Sequence, residues 1–541
     1  MKPALVAKDG TKTEMAVGGA YEGASRTSQD IALWSPPVRS ADADINPNKQ
    51  LLDSRSRDRM ANDGYVANAV HTHQDSIVGG QYMLNCKPAL DILQAINPAF
   101  DEVWMDEFQR VVESRYTLYG ESTEAWLDAS RNDTFTGLVR LAVGVETFSG
   151  EVLATAEWLR DSGRPYNTAI QMVDVDRLSN PHDSFDTESM RRGIERNRYG
   201  APIAYHIRTT HPGDWYLGQG NGFEWRRVMA RKPWGRRQVI HLHQKSRPDQ
   251  SRGISDMVSV LKQMKMTSKF QDIALQSAVI QATYAATIES ELPSEAVYAQ
   301  MGQDSGQPWA EQYLASIAKY VGSSKNLHID GAKIPHLYPG TKLNIRNATP
   351  NEGVGDNFEQ SMLRHIASAL GLSYEEFSRD FSQTNYSSGK MAINGTNKRM
   401  QAKKKMVADR FANMVYQLWF EEALNKGDIP MPAGVGPEFF YEGQNKEALT
   451  QASWIGANKG QIDELKETQA AIMRIKSGLS TYEDECSKLG RDYRDIMRQR
   501  ARENRMVGEF GLDYNLDGKA PSAARMTQDG GDNAQGNDNE E

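Results

Sequence analysis

The sequence has only two cysteines, Cys86 and Cys486, and they lie 400 positions apart. Two such distant thiols cannot build a disulfide framework or a cysteine zinc site, so we expect buried thiols in a reducing compartment. No apolar run approaches the roughly 18 residues that predict a membrane-spanning helix. The first residues, MKPALVAKDGTKTEMAVGG, lack the apolar core of a secretory signal, which predicts a cytosolic protein.

An excess of positive charge is also absent, because the formal net charge is −8. Binding to nucleic acid by neutralising phosphates requires a basic face, so this balance argues against a tight general grip on DNA. On a helix, consecutive lysines point in different directions, and a solvated surface is the favoured interpretation of the strongest basic cluster. That cluster comprises Lys398, Arg399, Lys403, Lys404, Lys405 and Arg410.

Nucleotide and metal motifs are missing or incomplete. No Gly-Lys-Ser/Thr phosphate loop occurs, so the sequence does not support ATP hydrolysis by that route. The GQGNGF stretch at Gly218, Gly220 and Gly222 lies between short predicted strands, and a hairpin loop is favoured over a dinucleotide loop. The DYNLDGK segment at 513–519 begins like a calcium loop, but Ala524 stands where a bidentate glutamate is required. We therefore expect no cofactor and no metal.

Three short polar pairs remain as candidates for chemistry. The histidine pairs have the i, i+2 spacing of a strand, but no third metal ligand is evident, so ordinary packed or surface histidines are favoured. The aspartates could bind a divalent ion or exchange protons, yet no basic or metal partner is evident, and a turn-flanking pair is favoured. The pairs are His71 with His73, His241 with His243, and Asp174 with Asp176.

Apolar periodicity predicts an α+β protein with long helices. Residues 50–250 indicate one mixed domain, with helices at 99–119 and 134–146 followed by short strands. The segment 254–290 contains neither proline nor glycine, so it can form one helix of roughly 55 Å. A narrow stripe of small residues suits side-by-side packing of this helix with copies of itself, and packing on its own domain is the open alternative. The stripe is Ala274, Ala278, Ala282 and Ala285.

Further helices are predicted at 354–371, from about 388 to 425, and in two or three pieces over 445–508, where NKEALTQASWIGANKG is the first. Between the first two lies a polar stretch without apolar periodicity. Residues 1–48 predict a flexible arm that docks at one point, through an apolar cluster of Ile31, Leu33 and Trp34. The end of the chain, 509–541, is acidic and of low complexity, which predicts a disordered tail.

Several ordered blocks resemble lambda-type bacteriophage portal proteins, with a likeness extending over about 50–505. The most specific block is LRHIASALGLSYEEFSRDFSQTNYSSGKM at 363–391, where NYSS follows the end of a helix. RPDQSRGIS at 247–255 precedes the long helix, LYPGTKL occupies 337–343, and a tryptophan, IDELKE and GLST fall within 454–481. One departure is Gly389-Lys390, where relatives often carry a small residue followed by arginine.

The resemblance implies a portal fold with a mixed α/β wing, a two-helix stem, a small α/β clip and a helical crown. It also implies that the polar stretch is the loop that faces a central DNA channel. The implied parts are the arm (1–48), the wing (49–250), the first stem helix (251–290), the clip (291–353), the second stem helix (354–371), the channel loop (372–388), the long wing helix and linker (389–440), the crown (441–508) and the tail (509–541).

By the same resemblance, twelve identical subunits form a ring at one capsid vertex of the virion, assembled in the host bacterial cytoplasm. Double-stranded DNA passes through the ring weakly and non-specifically during packaging and ejection. Terminase large subunit, major capsid protein and the head completion or tail adaptor proteins are the implied protein partners. The loop residues are Ser382, Gln383, Thr384, Asn385, Tyr386, Ser387 and Ser388, with Arg379, Lys390 and Lys398 as basic groups near the DNA.

Neutral hydroxyl and amide groups in that loop suit the role, since they give a sliding phosphate backbone contacts without deep binding minima. Two other classes of protein stay open on the sequence. One is an enzyme that acts on nucleic acid through Asp174 and Asp176. The other is a helical scaffold protein without a pore.

Overall fold

The structure is a computed structural model that combines helices with antiparallel sheets, which confirms the predicted α+β class. No helix in the described part of the chain is both long and apolar enough to cross a membrane. The side chain of Tyr386 and of Ala282, all of Ala285, the GQGNGF and DYNLDGK motifs and most of the predicted clip lie outside that part. The structure describes residues 4–6, 12–14, 22–25, 28–161, 163–217, 224–284, 327–329, 332–334, 354–458 and 463–510.

Most predicted helices form, with small shifts at their ends. The helix predicted from about 388 to 425 runs as two α-helices joined by a π-helical turn at Lys404–Ala408. The helices are α1 (Ala41–Ile45), α2 (Lys49–Asn62), α3 (Gly64–Ile77), α4 (Leu90–Ile96), α5 (Glu102–Gly120), α6 (Phe135–Ser149), α7 (Leu261–Tyr284), α8 (Val354–Leu370), α9 (Tyr374–Ser378), α10 (Tyr386–Lys403), α11 (Asp409–Asn425), α12 (Asn445–Leu449), α13 (Glu464–Lys476), α14 (Tyr482–Lys488) and α15 (Tyr493–Phe510).

The described strands are short and pair antiparallel. Their sheets are β1-β2, β10-β4-β5, β11-β12, β13-β3 and β6-β7-β8-β9. The strands are β1 (Ala4–Val6), β2 (Lys12–Glu14), β3 (Met83–Cys86), β4 (Glu151–Trp158), β5 (Thr168–Val173), β6 (Met190–Arg191), β7 (Ile194–Arg196), β8 (Pro202–Arg208), β9 (Trp225–Met229), β10 (Val239–His243), β11 (Leu327–Ile329), β12 (Ala332–Ile334) and β13 (Ala452–Ile455).

The chain divides into two compact units, and the first comprises residues 1–74, 126–133 and 137–422. Its apolar core lies between the three-stranded and four-stranded sheets, where alternate strand residues point inward. Helix α11 adds a fully buried Trp419, and its Glu422 carboxylate accepts hydrogen bonds from the backbone N–H and the hydroxyl of Thr168 at 2.8 and 2.7 Å. A second buried carboxylate of α11, Glu421, pairs with Arg236 at 2.8 Å.

The second unit comprises residues 75–125, 134–136 and 423–541, and an aromatic cluster forms its core. Tyr82 stacks on Trp454 with ring centroids 5.7 Å apart, and Phe135 contacts Trp454 at 5.2 Å. The prediction of a helix through NKEALTQASWIGANKG is wrong in its second half, because β13 forms there and pairs with β3. Burial of Trp454 and Ile455 against the cluster outweighs the helical propensity of the segment.

The N-terminal arm is anchored at a different place from the predicted one. Leu33 and Trp34 are 99% and 73% exposed, so the predicted docking cluster is wrong for the subunit by itself. Docking occurs instead in α1, where the buried Asp42 carboxylate accepts hydrogen bonds from the N–H and hydroxyl of Ser251, both at 2.8 Å. The hydrogen bonds of Asp42, together with the buried side chains of Ala41 and Ile45, therefore fix the end of the arm.

A buried carboxyl group in the second unit predicts a pH-dependent stability. Burial raises the pKa of Glu113 to about 7, against the lowering effect of the Cys86 N–H and of Arg494. Because the folded protein holds this proton more tightly than the unfolded chain, the unit should lose stability as pH rises from about 4.5 to 7.

We expect Glu113→Gln, which keeps an acceptor for the Cys86 N–H at 3.0 Å, to remove about 2 kcal/mol of that loss. Amide hydrogen exchange of residues 83–86 between pH 5 and 8 measures the difference, after correction for the intrinsic rates. Glu107→Gln, an exposed change on the same helix, is the matched control. Equal pH dependence in the Glu113 variant and the wild-type protein would contradict the assignment.

Candidate functional site

The predicted channel loop is shorter than the polar stretch in the sequence. Ser373 caps α9 in a capping box with Glu376, and Asn385 caps α10 with Ser388 in the same way. The longest irregular segment is therefore 379–385, which begins with Arg379 in the left-handed region at φ 59°. The predicted loop side chains Ser382, Gln383, Asn385, Ser387 and Ser388 are exposed, and Thr384 is half-buried.

One asparagine of α3 fixes the root of this loop. The Asn68 amide donates hydrogen bonds to the carbonyls of Glu376 at 2.9 Å and Phe377 at 3.0 Å. Its oxygen accepts a hydrogen bond from Arg379 Nε at 3.0 Å, and the same guanidinium donates to the Thr72 hydroxyl at 3.3 Å. Phe377 is buried next to the Tyr65 ring. The chain enters the loop from a defined position.

Helix α10 holds the other side of the loop. The Thr396 hydroxyl donates to a Glu376 carboxylate oxygen at 2.5 Å and accepts the Ser373 N–H at 3.1 Å. Lys403, at the end of the same helix, is buried and pairs with Glu146 at 2.8 Å. The loop is thus attached at both ends to the packed body of the first unit.

The three basic residues predicted to lie near the DNA have different surroundings in the structure. Arg379 is exposed, but its guanidinium serves as a clamp on Asn68 rather than pairing with Asp380 or Glu376. Lys390 is half-buried, whereas Lys398 is exposed on α10. That these three residues lie close to DNA stays a prediction.

The predicted solvated lysine cluster is wrong for two of its three consecutive members. Lys403 is buried against Glu146, and Lys404 pairs with Asp409 at 2.9 Å while half-buried. Only Lys405 of the three is exposed. The π-helical turn that begins at Lys404 changes the angular spacing of side chains, which the assumption of a regular helix could not anticipate.

The predicted small-residue stripe lies on an exposed part of α7. Ala274 and Ala278 are exposed, and so are the larger Ile273 and Leu275, at 54% and 67%. Helix α8 packs against a different part of α7, where Phe270 and Phe358 have ring centroids 5.7 Å apart. The subunit therefore presents an apolar helix surface that its own described residues do not cover.

A buried charge cluster lies where the chain leaves the sheets for α7. Arg252 Nη2 donates to a Glu151 carboxylate oxygen at 2.6 Å, and the Gly253 N–H donates to the other oxygen at 2.9 Å. Burial by itself would raise the pKa of Glu151, but Arg252 and Lys49 outweigh it and hold that pKa well below its usual range. The same arginine donates to three backbone carbonyls, those of Val175, Leu178 and Arg192.

Two glycines let these chain segments meet. A Cβ on Gly253 would lie 2.1 Å from the Gly150 carbonyl oxygen, and Gly150 itself has φ +79°. Neither position tolerates a side chain without moving the backbone. Glu151 follows one glycine and Arg252 precedes the other, so the close crossing brings their charges together.

The paired aspartates have partners that sequence reasoning missed. Arg57 pairs with Asp176 and lies 3.6 Å from Asp174, while His211 Nε2 lies 3.6 Å from Asp176. The expected lack of a basic partner is therefore wrong, because the guanidinium comes from α2, more than a hundred residues away. Nothing in the spacing of the two aspartates could have identified it.

This cluster does not have the protonation pattern of a metal site, although its two carboxylates and one imidazole could supply metal ligands. The Gly213 N–H donates to His211 Nδ1 at 3.0 Å, so in the neutral ring the proton resides on Nε2, the nitrogen that faces the aspartates. That protonated nitrogen lies 3.6 Å from Asp176, and the Arg57 guanidinium pairs with the same carboxylate. A metal would have to displace both interactions.

The histidine pairs are structural. His71 and His73 lie on α3, not on a strand, and the buried His73 Nε2 contacts the Leu370 carbonyl 3.1 Å away. His241 belongs to the buried charge cluster through Glu151 at 3.1 Å. Burial lowers the pKa of His243 to about 4, which keeps that ring neutral. Among the described residues neither pair belongs to a group of three ligand atoms that could hold a metal ion.

Known proteins were compared with the chain at the level of family, sequence and structure. The family model described as phage portal protein, lambda family, matches residues 27–404. The portal protein of Escherichia phage N15 is 36% identical over 514 residues, and portal protein B of Escherichia phage lambda is 34% identical over 514 residues. In both cases the match covers 94% of this chain and 94% of the relative.

Solved structures with similar chains come from gene transfer agent particles. The neck of an empty GTA particle computed with C6 symmetry matches with a TM-score of 0.36 at 14% identity, covering 81% of this chain and 93% of that chain. The virion of a native gene transfer agent particle matches with a TM-score of 0.35 at 12% identity, covering 81% and 92%.

The buried charge cluster predicts a large effect of removing its arginine. We expect Arg252→Met to lower the free energy of unfolding by about 3 to 5 kcal/mol, because Glu151 would be left buried next to unfilled carbonyl acceptors. Chemical denaturation followed by circular dichroism measures this change. Arg55→Met, an exposed arginine of α2, should change stability by less than about 0.5 kcal/mol. A similar small effect for Arg252 would disprove the assignment.

The aspartate cluster predicts no specific metal binding. Isothermal titration of the wild-type protein and of His211→Ala with manganese or zinc chloride should give the same binding curve, since the imidazole nitrogen facing the cluster carries a proton. His365→Ala, a histidine on another helix, controls for loss of an imidazole. A site present in the wild-type protein and the control but lost in His211→Ala would refute this interpretation.

Proposed function

Since the chain belongs to the lambda family of phage portal proteins, we propose that it forms a ring of twelve subunits at one capsid vertex and conducts double-stranded DNA. In this proposal the ring is a component of the virion that assembles in the host bacterial cytoplasm. Its role is structural: it provides the conduit for packaging and ejection, while a separate terminase supplies the work. The family match over 27–404 is the observation that carries the proposal.

The parts of the subunit are assigned within this proposal. Residues 49–250 with the helices over 389–440 form the wing, 251–290 and 354–371 form the stem, and 291–353 form the clip. The crown is assigned to 441–508 and the channel loop to 372–388. Terminase large subunit, major capsid protein and the head completion or tail adaptor proteins are the proposed partners of the assembled ring.

The chemistry of the loop supports a channel-facing position. The exposed side chains described within 382–388 carry hydroxyls and amides, which form adaptable hydrogen bonds with phosphate oxygens but supply no permanent charge. A duplex carries one negative charge per about 1.7 Å, so a ring of fixed cations would hold it in deep minima. The clamp of Asn68 on the loop root would keep these groups at a fixed distance from the axis.

The exposed apolar surface of α7 supports the proposed packing of neighbouring stems. Water-exposed Ile273, Leu275 and Val279 occupy one stretch of helix together with Ala274 and Ala278. Small residues allow close approach of helix axes, and larger apolar neighbours contribute roughly 25 cal/mol for each Å² they bury. In a ring every subunit presents this surface to the next one, so the contact repeats until the ring closes.

Native mass spectrometry tests the ring. We expect one assembly at about twelve times 60.5 kDa, with a central hole in electron micrographs. Leu275→Glu combined with Val279→Glu should abolish or strongly reduce it, because two carboxylates would be buried between stems. Ile92→Glu with Ile96→Glu, equally apolar and exposed on α4, is the matched control. A monodisperse wild-type monomer under conditions of capsid assembly would count decisively against the proposed function.

A further inference from the structure

One hairpin of the first unit carries a concentration of positive charge that the net charge of the chain conceals. Residues 225–237, WRRVMARKPWGRR, contain six arginine or lysine residues and no acidic residue. They comprise β9 and the turn that follows it, and among the described strands β9 lies at the edge of its sheet and pairs only with β8. We name this segment the basic hairpin.

The turn of the basic hairpin is firmly built. The Lys232 N–H donates to the Arg236 carbonyl at 2.7 Å, and the Gly235 N–H donates back to the Lys232 carbonyl at 2.9 Å. Gly235 has φ +90°, a conformation that other residues rarely adopt. The Arg231 side chain donates to the Gly235 carbonyl at 3.1 Å. The backbone that carries the cations of the basic hairpin is therefore held in one conformation by hydrogen bonds.

Carboxylates neutralise only part of this charge. Glu195 pairs with Arg227 at 2.6 Å, and Arg236 is buried against Glu421. Arg226 lies 4.0 Å from Glu157 with a side chain 68% exposed, which is a weak interaction in water. No carboxylate lies within 4 Å of Arg231 or Lys232 in the part of the chain that the structure describes, and both are exposed. An uncompensated positive patch remains.

Charge on an edge strand can also serve to discourage pairing between molecules. That role explains Arg226 and Arg227 on β9 itself. It does not explain Arg231 and Lys232, which lie in the turn, where no free strand edge needs protection. Together, the four exposed cations line an open groove of about 450 Å³ with Val228, Met229 and Pro233.

We propose that the basic hairpin is a second DNA contact of the subunit, one that binds the phosphate backbone of duplex DNA at a surface separate from the channel loop. The proposal rests on the proposed function, which brings duplex DNA to the ring. Arginine offers forked donors that match phosphate oxygens, and four adjacent cations can contact consecutive phosphates. An acidic protein segment would also complement the charge, but the proposed function brings duplex DNA, with its regularly spaced phosphates, to the ring, and so favours DNA as the occupant.

Closed circular DNA separates this surface from the channel, because a covalently closed minicircle cannot thread a ring that is already assembled. Binding of a relaxed duplex minicircle to purified rings should fall steeply with salt. We expect Arg226→Gln, Arg231→Gln and Lys232→Gln together to weaken it at least tenfold at about 50 mM salt. The slope of log K against log salt should decrease by about 2 to 3, at roughly 0.9 for each lost phosphate contact.

The matched control removes three exposed cations from other elements, as Arg55→Gln, Arg110→Gln and Lys476→Gln. It changes net charge equally and should leave minicircle binding within about twofold of wild type. Equal binding by the hairpin variant and the control overturns the inference, as does binding that is insensitive to salt. Native mass spectrometry of the same samples separates this failure from that of the proposed function, because rings that form without binding minicircles refute only the DNA contact.

Discussion

The buried pairing of Glu151 with Arg252 is the interaction on which the geometry of the first unit depends. It connects the first residue of β4 to the segment that leads into α7, at a crossing where two glycines bring the backbones into contact. A buried ion pair contributes little net stability relative to an apolar pair, but a mismatched one is costly. The pair therefore selects one direction for the exit of α7 more than it strengthens the fold.

Arg252 also holds neighbouring segments of the chain in place. Its remaining donors satisfy carbonyls that follow β5 and precede β7, while Lys49 of α2 joins the carboxylate from another side at 3.4 Å. Several separate stretches of chain thus share one charge cluster, and none can shift without leaving a buried donor or acceptor unpaired. In a ring, each stem must meet its neighbour at the same angle. A charge cluster that fixes the direction of α7 in every subunit favours such a repeated contact. The same logic operates at the loop root, where Asn68 satisfies two carbonyls at once.

Sequence reasoning succeeded where local pattern governs structure and failed where partners are remote. The long helices and five strands after residue 150 followed from periodicity and composition. Strand β13 could not be predicted, since its pairing with β3 depends on residues more than 350 positions away. Arg57 beside Asp176, Glu146 beside Lys403 and Asn68 beneath the loop share that difficulty. Each is an ordinary polar residue on a helix, and only the tertiary fold gives it a specific role.

The distribution of charge explains how a chain with a net negative charge could still contact DNA. Toward the C-terminal end of α10, several cations are paired: Lys403 with Glu146, Lys404 with Asp409, and Arg399 with Asp256 at 3.1 Å. The exposed side chains described within 382–388 are neutral. On the basic hairpin the opposite holds, since Arg231 and Lys232 have no carboxylate within reach in the described structure. Attraction that would obstruct sliding in a channel is harmless at a separate surface, because the energy minima there do not lie on the path of translocation. Under the proposed function, segregating the two kinds of surface would resolve the conflict between holding DNA and letting it pass.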